Sequence, residues 1–137
     1  MKRKDVRKEV MITIYQMELN ESYDFEKYKE KLKEKIGNKK EFKYGSKVLK
    51  EFLKDKDMVD DHIKANLDNW HITRLPKIDL AIMRLAVTEF FYLEDIPIEV
   101  SVNEAIELAK EYSDKESSSF INGVLGSIIK KGNLIDE

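Results

Sequence analysis

Apolar side chains recur at intervals of three and four residues along most of this 137-residue chain. Val6, Val10 and Ile14 illustrate the spacing, which places apolar side chains on one face of a helix. The alternation typical of strands is scarce, and only two prolines and five glycines interrupt the pattern. The pattern therefore predicts an all-α protein of about seven helices.

The apolar spacing and the turn residues also predict where each helix begins and ends. Pro97 breaks the chain, and residues 101–104 match a capping box with Ser first and Glu last, so the sixth helix is expected to begin there. The seventh is expected after the serines at 117–119, and its Gly123 and Gly126 indicate close approach by another element. The first five helices are expected at about residues 4–19, 25–36, 42–53, 59–70 and 76–93.

We expect these helices to form one domain over residues 1–137, built from two small packed bundles. The bundles would cover about residues 1–55 and 56–132. A chain of this length buries roughly two thirds of its unfolded surface on folding, which is enough for one core. Within the third predicted helix, the small Gly45 permits close packing.

Charge is distributed unevenly, although the net charge is only −2. Residues 1–57 carry 17 Lys and Arg against 12 Asp and Glu, whereas residues 58–137 carry 8 against 15. A basic half can follow a phosphate backbone, and an acidic half is better suited to a basic protein. The distribution predicts two different kinds of partner.

The candidate chemistry argues against an enzyme. The chain has no Cys, and on one helix its two histidines, His62 and His71, would lie on opposite faces and form no simple metal pair. Glutamates at 104, 107 and 111 form a row without the Glu-x-x-His partners of a di-iron bundle. Gly-rich phosphate loops and nucleophile elbows are also missing from the sequence. We therefore expect neither catalysis nor a metal or cofactor.

The location of the protein is also suggested by what the sequence lacks. The amino terminus has no apolar core of a signal peptide, and no apolar stretch approaches the ~20 residues that a membrane-spanning helix needs. The absence of Cys fits a reducing compartment. A soluble, cytoplasmic protein without a membrane partner is expected.

Two groups of cations compete as a nucleic-acid site. Residues 26–57 carry 12 Lys but also 7 acids at helical spacing, a pattern typical of a salt-bridged solvent face. The amino-terminal group is interrupted only by Asp5 and lies on a helix whose opposite face enters the core. This second group is the stronger candidate for phosphate binding, and its members are Lys2, Arg3, Lys4, Arg7 and Lys8.

Aromatic side chains supply the other candidates. Phe120 follows the serines at a predicted helix start, where free N–H groups favour an anion, and its ring either faces a base or packs in the core. Trp70 and Tyr15 are similarly suited either to the core or to anchoring a protein. The residues alone leave these alternatives open.

Several separated blocks closely resemble the NusB family of bacterial transcription antitermination factors, and together they span nearly the whole chain. One block is Ile-Tyr-Gln-Met-Glu at 14–18, behind the basic amino terminus, and another lies at 79–89. The most specific block runs from Ile96-Pro97 through residues 102–110 to Phe-Ile-Asn-Gly-Val-Leu at 120–125.

The resemblance implies an all-helical protein that binds single-stranded boxA RNA of ribosomal RNA leader transcripts. It would do so with NusE, a small-subunit ribosomal protein, within an antitermination complex that helps RNA polymerase pass terminators. By position, the amino-terminal cations would hold the RNA backbone, Phe120 would contact bases with Glu116 nearby, and Tyr15 and Asp79 would face NusE. Neither catalysis nor a cofactor belongs to this family's function.

One departure from the family pattern bears on RNA affinity. Ser119 stands where the family usually has a basic residue, so we expect weaker RNA binding by the isolated protein and greater dependence on its partner. Two alternatives stay open. The first alternative to an antitermination factor is a ribosome-assembly helper, since NusB-like domains occur in some ribosomal RNA methyltransferases. The second is a helical protein-interaction module without sequence-specific RNA binding. Disorder of residues 2–8 together with a buried Phe120 would favour the second alternative.

Overall fold

The computed structural model describes residues 1–68 and 70–134, so Asn69 and residues 135–137 lie outside it. The described chain contains no strand, and apart from one 3₁₀ turn at Ile72–Arg74 its regular structure is α-helical, which confirms the predicted all-α class. The helices are α1 (Arg3–Asn20), α2 (Phe25–Lys35), α3 (Lys39–Lys54), α4 (Lys56–Lys64), α5 (Lys77–Tyr92), α6 (Ile98–Tyr112) and α7 (Lys115–Gly132).

Helix α5 lies at the centre of the fold and packs against α1, α3, α4, α6 and α7. Every residue from Asp79 to Phe90 is buried, as expected for a helix that is apolar on nearly all sides. Asp79, Arg84 and Glu89 are the charged exceptions within this stretch, and buried charges are stable only with partners. The contacts of Asp79 are described with the functional site. The partners of Arg84 and Glu89 determine much of the architecture described below.

Close packing joins the first three helices. A Cβ atom on Gly45 of α3 would lie 2.9 Å from Leu32 Cδ2 in α2 and 3.2 Å from Val10 Cγ2 in α1. A larger residue would require the Leu32 and Val10 side chains to shift, so the close packing predicted at Gly45 is confirmed. Buried side chains from all seven helices join one hydrophobic cluster. The division into bundles near residue 55 stays a prediction.

The fourth helix is shorter than its apolar spacing predicts. Helix α4 ends at Lys64, and the Asn66 side-chain amide donates to the His62 carbonyl oxygen at 2.8 Å. This bond satisfies one of the carbonyl groups that a helix end leaves without a partner. The chain then turns, so the predicted extension of the helix to Trp70 is wrong. Trp70 instead lies exposed, just before the 3₁₀ turn.

The predicted starts of the last two helices are also wrong. Helix α6 begins directly after Pro97, and the Ser101 N–H donates to the Pro97 carbonyl at 3.2 Å, so Ser101 lies inside the helix and forms no capping box. Helix α7 begins at Lys115 because the Asp114 carboxylate accepts a cap bond from the Ser117 N–H at 2.7 Å. The serines at 117–119 therefore lie in the first turns of α7.

The two glycines of α7 do not mark a close helix contact. A Cβ atom on Gly123 or Gly126 would have no neighbour within 4 Å in the part of the chain that the structure describes. Both residues are exposed. The prediction that another element of the chain lies close to Gly123 and Gly126 is therefore wrong for the described residues.

Candidate nucleic-acid interface

The five amino-terminal cations do not form one cluster. Lys2 and Lys4 are exposed, Arg3 and Lys8 are half-buried, and Arg7 is only 4% exposed. Successive side chains on a helix point in different directions, so neighbours in the sequence of α1 enter different surroundings. Each member is therefore described by what it contacts.

Arg7 was predicted to hold RNA, and the structure corrects this. Its Nε donates to Glu89 Oε2 at 2.8 Å and its Nη2 donates to Glu89 Oε1 at 3.2 Å. Burial is the largest influence on the pKa of Arg7 and lowers it, but the hydrogen bond to Glu89 and the charges of nearby acidic groups together outweigh burial and raise the pKa above its ordinary value. The guanidinium is thus a charged component of the core and is not available to a phosphate.

Glu89 collects hydrogen bonds from three helices. Besides Arg7 in α1, it accepts from the Tyr44 hydroxyl in α3 and from the Ser101 hydroxyl in α6, the latter at 2.6 Å. Burial and, after it, the Glu89 charge hold the pKa of Tyr44 well above its ordinary value. We call these four residues the core charge network. It joins α1, α3, α5 and α6 and supplies each Glu89 oxygen with two donors.

A second buried arginine joins α5 to two further helices. Arg84 Nε and Nη2 donate to Asp60 of α4 at 2.9 and 2.8 Å, and its Nη1 donates to Glu18 of α1 at 2.7 Å. Tyr15 lies one turn before Glu18 and is half-buried at the edge of the core. Its ring is therefore partly accessible to solvent. The predicted contact of Tyr15 with NusE needs such access, and no contact within the chain tests it.

Lys8 lies against the end of α6. Its Nζ is 3.5 Å from Glu111 Oε1 and 5.5 Å from the centre of the Tyr112 ring. The Tyr112 hydroxyl and, after it, the Glu111 carboxylate raise the pKa of Lys8. With Lys4 it lines a groove of about 300 Å³ between α1 and α6. Two of the predicted cations therefore border the junction that leads into α7.

A cleft of about 290 Å³ lies where the loop after α4, the start of α5 and the start of α7 meet. We call it the aromatic cleft, because Trp70 is 55% exposed and its ring centre lies 6.1 Å from that of Phe120, in an edge-to-face arrangement. Phe120 is half-buried. The remaining lining residues are Leu75, Pro76, Asp79, Asp114, Glu116 and Ser117.

Asp79 is the buried polar group of this cleft. It is 2% exposed; its Oδ2 accepts from the Ser117 hydroxyl at 2.8 Å, whereas its Oδ1 has no donor among the described residues. A buried acceptor without a donor is costly, and such groups are rare in folded proteins. Asp79 was predicted to face NusE; its side chain lies buried against the aromatic cleft, and no contact in the chain itself tests that role.

The structure brings together some of the predicted residues and separates others. Phe120, Glu116 and Asp79 share the aromatic cleft, whereas Lys2, Arg3 and Tyr15 do not line it. The pairing of Trp70 with Phe120 was missed, because fifty positions separate the two residues and local spacing carries no such information. The sequence feature that could have indicated this site was the single tryptophan, Trp70, followed by a polar turn.

The described chain offers no alternative site of another kind. It contains no group of three or more His, Cys, Asp or Glu side chains that could hold a metal ion. His62 stacks on the Phe91 ring, with centres 4.2 Å apart, and His71 is exposed elsewhere. None of the described helices is long and apolar enough to cross a membrane.

Taken together, the fold and the cleft define a small all-helical binding protein with cations at its first helix. The model of the NusB family matches residues 4–130, so the chain belongs to the NusB family. This confirms the resemblance seen in the sequence. Curated members of the family are transcription antitermination proteins and not enzymes.

Individual relatives cover nearly the whole chain. Transcription antitermination protein NusB of Finegoldia magna is 39% identical over 131 residues, which is 96% of each chain. NusB of T. maritima superposes with a TM-score of 0.86 at 32% identity, covering 96% of this chain and 92% of that one. A crystal structure of antitermination factors NusB and NusE in complex with dsRNA contains a chain with a TM-score of 0.85 at 25% identity, covering 94% and 96%.

Proposed function

We propose that this protein is an RNA-binding antitermination factor that acts with NusE on the single-stranded boxA element of ribosomal RNA leader transcripts. In this role it would help the RNA polymerase antitermination complex to pass terminators. Membership of the NusB family supports the general role, and the related complex of NusB, NusE and dsRNA supports both kinds of partner. The boxA target comes from the family resemblance of the sequence.

The aromatic cleft is the observation that carries this proposal. RNA recognition by sequence depends on single-stranded bases that stack on aromatic side chains and form hydrogen bonds along their edges. Trp70 and the half-buried Phe120 offer such rings on one cleft. Stacking on an aromatic side chain contributes about 1–3 kcal/mol per base.

Cations near the cleft would hold the backbone of the same RNA. Lys2 and Lys4 are exposed at the start of α1, and Lys8 lies beside Tyr112, three residues before α7 begins. If these lysines bind phosphates, the bases of the adjoining nucleotides would lie close to the start of α7, where Phe120 and Glu116 lie. Arg7 acts indirectly, because its bond to Glu89 fixes the helix that carries these lysines.

The contacts with NusE are assigned to α1 and to the cleft. Tyr15 presents a partly accessible ring on α1, and Asp79 can accept one hydrogen bond from an N–H of a partner that reaches the cleft. The excess of acidic residues after position 57 favours a basic partner, as the resemblance implies for a ribosomal protein. Two weak interfaces, one to RNA and one to protein, would then act together.

Fluorescence anisotropy tests the proposal directly. Labelled boxA RNA and a scrambled RNA of equal composition are titrated with this protein, with and without NusE, at fixed salt. We expect boxA RNA to bind at least tenfold more tightly than scrambled RNA when NusE is present, and both to bind weakly without it. Equal affinities in the ternary mixture would overturn the assignment.

A pair of charge variants addresses the alternative of a protein-interaction module. Lys4→Glu with Lys8→Glu leaves the buried Arg7 intact and reverses only cations that contact solvent or the end of α6. RNA affinity should fall by at least tenfold while the helical circular dichroism stays the same. Unchanged RNA binding by the folded variant would support the module instead.

A further inference from the structure

Helix α3 carries an exposed row of lysines that the site described above does not use. All six are exposed, whereas its two acids, Glu41 and Glu51, are partly covered. Glu41 is also engaged, because Arg3 Nε donates to its Oε2 at 2.6 Å and holds the pKa of Glu41 below its ordinary value. We call this row the α3 lysine face; its members are Lys39, Lys40, Lys43, Lys47, Lys50 and Lys54.

The α3 lysine face differs from the lysines of α2. On α2, two of the five lysines have a carboxylate partner: Lys29 lies 3.9 Å from Glu26 and Lys35 lies 3.3 Å from Glu9. The paired solvent face that the sequence predicts for this region is therefore formed only in part. Among the described residues, no carboxylate lies within 4 Å of any lysine ammonium of the α3 face. Cations grouped without partners repel one another, and a ligand of opposite charge relieves that repulsion.

Three of these lysines share a groove. Lys40, Lys43 and Lys47 line one wall of a groove of about 660 Å³, and Arg3 lies in the same lining. The three lysines occupy one side of the helix and span about 10 Å along its axis. An extended chain of phosphates and sugars needs charge along its length and not a deep pocket, and this row of lysines supplies such charge.

Arg3 connects this groove to the amino-terminal cations. Its guanidinium lies 4.1 Å from the centre of the Tyr44 ring and is held there by Glu41. Lys2 and Lys4 are its sequence neighbours and are exposed. Arg3 therefore places one of the amino-terminal cations in the same groove as Lys40, Lys43 and Lys47. On the opposite wall of the groove, Glu94 and Asp95 would repel a polyanion and keep it on the α3 side.

We propose that the α3 lysine face, together with Arg3, binds the phosphate backbone of RNA that flanks the segment recognised at the aromatic cleft. The inference rests on the proposed RNA-binding function and extends it to a second, sequence-independent surface. Lysines suit this task because the ammonium group is a compact point charge that contacts any phosphate without demanding one geometry. Longer transcripts would consequently bind more tightly than the isolated element.

The test compares two triple variants with equal changes in net charge. Lys40→Gln, Lys43→Gln and Lys47→Gln remove the charge of the groove. The control removes three exposed lysines of α2 instead, through Lys27→Gln, Lys31→Gln and Lys33→Gln. Lys and Gln have similar helix propensities, so both variants should fold, which circular dichroism checks. Each is titrated, with NusE present, against boxA RNA alone and against boxA RNA with unrelated single-stranded flanks.

The α3 variant should bind the flanked RNA about tenfold more weakly than the wild type, and the slope of log affinity against log salt should fall by about 2, as expected for three lost single-strand phosphate contacts. The short RNA and the control variant should be unaffected. If the wild type binds the short RNA specifically but both variants bind the flanked RNA equally, this inference alone is overturned. If the wild type binds neither RNA specifically, the proposed function fails with it.

Discussion

The core charge network and the aromatic cleft each contain one buried carboxylate, and the two carboxylates accept different numbers of hydrogen bonds. Glu89 is 1% exposed and accepts four hydrogen bonds, from Arg7, Tyr44 and Ser101. Asp79 is 2% exposed and accepts one, from Ser117. A carboxylate with all its partners inside the chain joins helices together. The other carboxylate has one oxygen without a donor among the described residues and lies beside an exposed aromatic ring.

The same contrast explains why the amino-terminal cations differ in role. Arg7 lies on the same buried side of α1 as Val10 and Met11, and its guanidinium donates to Glu89. Lys4 and Lys8 face outward from the same helix. Arg7 therefore anchors the helix to the core, whereas Lys4 and Lys8 lie at the surface, where the proposed function places the phosphates. The predictions below test this division, beginning with the largest expected effect.

The largest effect should come from Glu89→Ala. The change leaves the Arg7 guanidinium buried without its counter-charge, and losing one partner of a buried ion pair costs about 3–5 kcal/mol. Urea unfolding followed by circular dichroism measures the loss. The matched change at the cleft, Asp79→Ala, should cost less, about 1.5–3 kcal/mol, since that carboxylate accepts only one hydrogen bond from the described residues. Equal losses for the two variants would contradict the contrast.

The next effect concerns RNA and not stability. Trp70→Ala and Phe120→Ala should each weaken binding of boxA RNA by about 10- to 100-fold, the loss expected for one stacked base. Met58→Ala is a matched control, because Met58 is exposed to a similar degree and does not line the cleft. Titration in the presence of NusE measures all three. An equal loss of RNA affinity in Met58→Ala would show that RNA binding depends on exposed apolar side chains in general and not on the aromatic cleft.

A smaller effect on stability is expected from Ser101→Ala. The variant removes one of the four donors to Glu89 and leaves the ion pair with Arg7, so we expect a loss of about 1.5–3 kcal/mol, the range for a hydrogen bond to a charged group. Ser119→Ala, at an exposed position of α7, serves as the control. Thermal unfolding that is the same for both variants would show that Ser101 adds nothing to the network.

The smallest effect depends on pH and tests the ion pair between Arg3 and Glu41. The hydrogen bond from Arg3 lowers the pKa of Glu41 from its ordinary value of 4.5. A lowered pKa in the folded state stabilises the protein above pH 4.5, and that stabilisation is lost as the pH falls through the folded value. Wild type and Glu41→Gln should therefore differ slightly in Tm at pH 7 and converge towards pH 3. A difference that stays constant over this range would refute the assignment.

Much of the helical framework is predictable from the sequence because apolar periodicity is a local property. Val6, Val10 and Ile14 identify α1 within one or two residues of its observed ends. Where prediction failed, a contact distant in sequence decided the outcome. Ser101 matches a capping box, yet its hydroxyl bonds to Glu89 twelve positions earlier, and the helix already begins after Pro97.

The candidate site was only partly predictable for the same reason. Phe120 and Glu116 were identified, and both line the aromatic cleft. Arg7 was misassigned because its partner lies 82 residues away, although its position three and four residues before Val10 and Met11 was a sign that it faces the core. The unpaired lysines of α3 were also missed, because lysines and acids at helical spacing look alike in sequence whether or not they pair.

The fluorescence of Trp70 tests the central claim most directly, since it is the only tryptophan in the chain and lies exposed at the cleft. NusE is added first to set the baseline, and boxA RNA is then titrated to saturation while anisotropy of the labelled RNA reports binding. We predict that the Trp70 emission is quenched in step with binding, because a base stacks on its ring. RNA that binds to saturation while the emission stays unchanged would contradict recognition at the aromatic cleft.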